Sequence, residues 1–105
     1  MIKAHFTTEQ GVITGFTLAG HADSGAYGHD LVCAAVSALA ITTVNGLETV
    51  AQLQPVVDQD ATNGGYLQVQ VGAAATDQRG QALLQSFKNG MTEIAMQYRD
   101  FVTIK

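Results

Sequence analysis

Apolar and polar positions alternate at the start of the chain. Ile2, Ala4 and Phe6 are separated by Lys3 and His5, and after Glu9-Gln10-Gly11 an apolar stretch resumes from Val12 to Leu18. A period of two with a turn-forming interruption predicts a β-hairpin over residues 1–19, ending at Gly20-His21. Residues 20–30, GHADSGAYGHD, carry three glycines and no periodicity, which predicts a mobile loop with backbone freedom. The period then changes. Val32, Ala35, Val36, Leu39, Thr43 and Leu47 recur at helical spacing, predicting a helix from about Leu31 to Ala51 with Asp30 as its cap.

Pro55 follows that helix, and the apolar segments Val56-Val57 and Tyr66 to Val71 flank Asn63-Gly64-Gly65, so a second hairpin is expected over residues 55–72. Asp77 is placed to cap a second helix whose Leu83, Leu84, Phe87, Met91, Ile94 and Tyr98 mark one face, with Gly90 as a local weak point. Phe101 to Ile104 reads as a closing strand. The order ββαββαβ predicts an α+β fold, a single domain over residues 1–105 in which two helices cover a mostly antiparallel sheet of open strand order.

The 105-residue length fits one domain, because two separate cores would each be short of apolar surface. With 47% hydrophobic and 13% charged residues, the chain is unlike a disordered tail. A net charge of −4 with five scattered basic residues disfavours direct nucleic-acid binding, which needs clustered Lys and Arg. The apolar run Val32 to Ala40 is too short to span a bilayer, and no export signal is read at the N-terminus, so no membrane partner is expected. One cysteine forms no internal disulfide, which points to a reducing, cytoplasmic setting.

That cysteine changes the picture. Asp30-Leu31-Val32-Cys33 places it in the first turn of the expected helix, where open N–H groups and the positive end of the dipole favour a thiolate. Free cysteine has a pKa of about 8.5, and such positions can lower it to roughly 3.5–7.5. His21 stands at the other end of the glycine-rich loop, so a folded-back loop would bring imidazole and sulfur to about 3 Å. Cys33 then serves as nucleophile and His21 as base and proton donor, with first-turn N–H groups, that of Cys33 included, as oxyanion binders. Asp30 is read first as the helix cap and second as an orienting partner of His21. Ser37, one turn beyond Cys33 on the same face, would border the site.

Plainer readings stand beside these. A lone cysteine is more often a small buried hydrophobe, and a lone histidine a turn residue satisfied by backbone groups. Gly20, Gly25 and Gly28 would permit a long connection whether or not the loop gates a substrate. A zinc site built from His21, His29, Cys33, Asp23 or Asp30 is disfavoured by the lack of closely spaced ligand pairs, so no metal and no cofactor is expected. His5 reads as a strand surface residue, Phe87 and Met91 as packing, and Asp58 and Asp60 as turn-solubilising charges.

Taken together, Gly20-His21-Ala22-Asp23, Gly25, Gly28, Asp30, Val32-Cys33-Ala34 and Ser37 sit in the run GHADSGAYGHDLVCAAVSAL, which resembles the signature of the ribosomal-processing cysteine protease (Prp) family across nearly the whole chain. The resemblance implies that His21 and Cys33 are the catalytic pair and that Asp30 and Ser37 are motif positions. It also implies that Gly20, Ala22, Asp23, Gly25 and Gly28 belong to a loop that covers the site and moves to admit substrate. The implied activity is removal of an N-terminal extension from a large-subunit ribosomal protein precursor, after an aromatic-containing segment, by a homodimer; the alternative is a non-catalytic ribosome-assembly or peptide-binding module that captures an extended segment by strand addition.

Overall fold

The computed structural model describes residues 1–20, 29–60 and 65–105, with His29 and Asp30 described by their backbone alone. The strands β1 (Ile2–Glu9) and β2 (Val12–Ala19) form the expected hairpin, whose turn takes positive φ at Gln10 and Gly11. The first helix, α1, runs His29–Thr49; β3 (Val56–Asp60) and β4 (Tyr66–Gln70) form the second hairpin; the second helix, α2, runs Gln78–Gln97; and β5 is Val102–Ile104. The element order is the ββαββαβ expected, with an unanticipated 3-10 turn at Gly72–Thr76 leading into α2. Asn63-Gly64 of the expected turn lies outside the described residues.

The sheet order is β3-β4-β2-β1-β5, antiparallel throughout except for the parallel β1–β5 pair. β1 alternates strictly, burying Ile2, Ala4 and Phe6 and exposing Lys3 and His5. β2 does not. Its inward residues shift from Ile13 to Phe16 and Leu18 because the pairing with β1 slips between Thr7 and Thr8, leaving Thr14 as the extra residue of a bulge. At Gly15 a Cβ would lie 2.5 Å from the Val69 carbonyl oxygen, so a residue without a side chain lets β2 and β4 approach there.

Both helices pack on one face of the sheet. Val32, Val36, Ala40 and Leu47 from α1 and Leu84, Phe87 and Met91 from α2 join the strand residues in one core. Phe87 stacks with Phe16 at 4.5 Å and Phe6 at 5.7 Å between ring centroids, within the range where tilted aromatic pairs attract. Asp77 caps α2 as expected, its Oδ1 accepting from the backbone N–H of Arg79 at 2.9 Å and of Gly80 at 3.0 Å. Asp58 and Asp60 prove to be strand residues of β3, so their reading as turn charges is corrected. Over Leu31–Thr49, α1 is also long and apolar enough to cross a membrane by length and composition, unlike the shorter run considered above. Its Val32, Val36, Ala40 and Leu47 face is taken up by the core.

Candidate active site

Cys33 sits half-buried on α1, and helix geometry tilts its side chain back toward the helix start. Because α1 opens at His29, two residues before the expected boundary, Cys33 is the fifth helical residue. Two expectations are corrected. Asp30 lies inside the first turn and not at the capping position, and by helix register the Cys33 N–H donates into the intrahelical ladder. The N–H groups without an intrahelical acceptor are those of His29, Asp30 and Leu31.

Beside Cys33 lies a cavity of about 270 Å³ between α1 and the inner side of β4 and β3. Cys33, Ser37, Ala40 and Ile41 form one wall, while Leu18, Leu67 and Gln59 contribute from the sheet. Spacings of four, seven and eight residues put those α1 positions on one side of the helix, and Ser37 lines the cavity one turn from Cys33. Ile41 and Ala40 were legible by the same rule. Leu67, Gln59 and Asp60 were not, because they reach the cavity only through the pairing of β3 with β4 and β4 with β2. Ile2, Leu18, Val36, Ala40, Ile41 and Leu67 make the lining largely aliphatic, a lining that suits an apolar side chain.

Gly20 directly follows β2. It has φ +90°, its N–H donates to the Gly65 carbonyl at 3.0 Å, and a Cβ there would run into the Met1 carbonyl oxygen. Only glycine meets both conditions without strain, so the end of β2 is held against Gly65 and the chain start. His21, Ala22, Asp23, Gly25 and Gly28 lie outside the described residues. Among the described residues, no group of His, Cys, Asp and Glu is arranged to hold a metal ion.

Comparison with known proteins gives this geometry a relative at every level. Residues 1–103 match the family described as cysteine protease Prp. The chain is 30% identical to the ribosomal processing cysteine protease Prp of Staphylococcus aureus, over 99% of this chain and 97% of that one. It is 28% identical to the protein of the same name from Bacillus subtilis, over 88% and 83%. In structure it is similar to SMU.848 from Streptococcus mutans, with TM-score 0.94, 38% identity and coverage of 100% and 92%. It is also similar to the S. aureus essential ribosomal processing protease Prp in complex with a substrate peptide, with TM-score 0.91, 27% identity and coverage of 100% and 98%. The match decides against the non-catalytic alternative: with its thiol at the head of an apolar groove in this fold, the chain belongs to the cysteine protease Prp family and is a cysteine-type endopeptidase.

Proposed function

We propose that this peptidase removes an N-terminal extension from a large-subunit ribosomal protein precursor, in the cytoplasm and as a homodimer, with Cys33 as nucleophile and His21 as base. The observation that carries the reading is the placement of Cys33 at one end of an apolar cavity that continues along Ser37 and Ile41. The names of the S. aureus and B. subtilis relatives support a ribosomal substrate. A second S. aureus structure, 28% identical with TM-score 0.86 and covering 100% of this chain and 98% of that one, holds a covalently linked product peptide, which supports catalysis through a covalent intermediate.

In the mechanism, the Cys33 proton passes to His21 and the sulfur attacks the carbonyl carbon of the scissile peptide bond. The resulting oxyanion takes hydrogen bonds from open N–H groups at the start of α1. As the C–N bond breaks, His21 returns the proton to the leaving amine; it then accepts one from water, whose hydroxide hydrolyses the thioester and frees Cys33. Asp30 belongs by its backbone to the first turn of α1 and supports that helix start in this reading, since an acidic residue type is favoured at the positive end of a helix dipole. His21, Ala22, Asp23, Gly25 and Gly28 belong in this reading to the substrate-gating segment that the family resemblance implies.

The test incubates a precursor bearing the extension with wild type, Cys33→Ala and His21→Ala. Each variant is expected to lose at least about 10³-fold in kcat/KM, since removing either member of a nucleophile–base unit disables the unit. The assignment is falsified if either variant cleaves as fast as wild type.

A further inference from the structure

β3 lies at one end of the sheet order, and all of its residues are exposed. The direction of its main-chain groups follows from the hydrogen bonds at the two ends of β4. The Gly20 N–H donates to the Gly65 carbonyl at 3.0 Å, and the Val71 N–H donates to the Thr14 carbonyl at 2.9 Å. Main-chain groups alternate sides along an antiparallel strand, so Leu67 and Val69 also turn theirs to β2, while Tyr66, Gln68 and Gln70 turn theirs to β3. The register partners of those three are Asp60, Asp58 and Val56. Val57 and Gln59 therefore direct N–H and C=O away from β4, on a side where no described strand pairs with β3.

This open edge runs into the cavity beside Cys33. Gln59 and Asp60, the last two residues of β3, line that cavity together with the thiol-bearing residue. A peptide extended through the cavity can continue along β3 as an added strand, exchanging main-chain hydrogen bonds with Gln59 and Val57. The charge along this route has one sign. Residues 31–78 contain no Lys, Arg or His, and Asp58 stands on the sheet face turned from the helices, since its neighbour Val57 pairs with the buried Val69. On an added strand the residue opposite Asp58 has its Cβ about 4.5–5.5 Å away, where a positive side chain is attracted. Full-length antiparallel pairing of β3 with a second copy would instead set Asp58 against its own counterpart, a like-charge contact that protects such an edge from self-pairing.

We infer that β3 is the strand to which substrate adds: an extended segment of the precursor beside the scissile bond hydrogen-bonds to the backbone of Val57 and Gln59 and places a Lys or Arg opposite Asp58. The inference rests on the proposed function above and goes beyond it by naming the docking strand, the conformation of the bound segment and the charge it carries.

The test uses a synthetic peptide spanning the precursor junction, methylated at one main-chain nitrogen at a time, which removes a donor and leaves the enzyme untouched. On one side of the scissile bond, from about three residues outward, methylation is expected to lower kcat/KM at least about 3-fold at every second position and to be neutral between them, the scale of one neutral hydrogen bond. Val57→Pro, which removes an edge N–H and no bond to β4, should raise KM with kcat kept. Asp58→Lys should slow cleavage, whereas Glu93→Lys, the same charge change on the exposed side of α2, should not. Replacing one Lys or Arg of the peptide by Glu should slow wild type and restore Asp58→Lys. Methylation effects without alternation, or Val57→Pro with wild-type KM and Tm, overturn the strand addition, and a peptide set in which none restores Asp58→Lys overturns the charge match. A Val57→Pro that halves the sedimentation mass and leaves KM unchanged gives the edge to a second copy and overturns the inference. If wild type leaves the junction peptide uncut, the proposed function itself falls; if it cuts and the alternation is missing, only the docking strand falls.

Discussion

The Gln81 side chain of α2 holds the backbone of Ile13 in β2 with both ends of its amide: the Ile13 N–H donates to Oε1 at 3.0 Å, and Nε2 donates to the Ile13 carbonyl at 2.7 Å. Ile13 is in register with Thr8 of β1 but lies beyond Gly15, where the pairing of β2 with β4 stops, so a helix side chain satisfies backbone groups that β4 does not reach. Gln81→Leu keeps the approximate volume and strands both groups. Its expected cost is about 1–3 kcal/mol, the range for a partly buried polar group left without its partner. Urea unfolding measures it, and a midpoint equal to wild type would mean that water replaces the amide at no loss.

Gly20 combines a positive φ with the approach of the Met1 carbonyl. Gly20→Ala is expected to cost at least about 1–2 kcal/mol from the left-handed conformation alone, before the steric conflict is added. Because Gly20 directly precedes His21, cleavage should fall along with Tm. Full cleavage at an unchanged Tm would show that the strand end tolerates a side chain and does not fix the start of the loop.

Asp77 should give α2 a pH-dependent start. The Gly80 N–H bond, with the Arg79 guanidinium and N–H adding to it, holds the Asp77 carboxyl below its ordinary value of 3.8. A carboxylate depressed on folding stabilises the native state above the unfolded pKa, and this contribution disappears as pH falls through the lower folded value. Asp77→Ala should therefore melt below wild type at pH 7, and the gap should close below pH 3.8. A gap of equal size at pH 7 and in strong acid would remove the carboxylate from the explanation.

Ser37 offers a way to separate groove from nucleophile. Its side chain borders the cavity one turn from Cys33, so Ser37→Leu should occupy the space in which the proposed function seats the peptide. Cleavage is expected to fall roughly 10–100-fold, the scale on which altered pocket volume discriminates between apolar groups. Alkylation of Cys33 by iodoacetamide, which is small, should proceed at the wild-type rate. Loss of both would place Ser37 in the activation of the thiol, and loss of neither would move the peptide elsewhere.

What the sequence determined by itself is everything carried by short-range periodicity and local hydrogen bonding. Alternation at Ile2, Ala4 and Phe6, helical spacing from Leu83 to Ile94, and a carboxylate two and three residues before the open N–H groups of α2 are legible because each involves neighbours along the chain. The same locality placed Cys33 near the start of a helix and Ser37 on its side. The order β3-β4-β2-β1-β5 was not legible, since alternation tells a strand which face to bury but not beside which strand to lie. Nor was the bulge, where a change of phase between Ile13 and Phe16 is hidden inside one apolar run. Gly90 looked like a flaw in α2; in three dimensions a Cβ there would sit 3.0 Å from Leu39 Cδ1, so the gap accommodates a side chain of α1. The cavity belongs to the same class. One wall is written in the spacing of a helix, but Leu67 and Gln59 reach it only after long-range strand pairing carries them across, because packing joins residues that no local pattern relates.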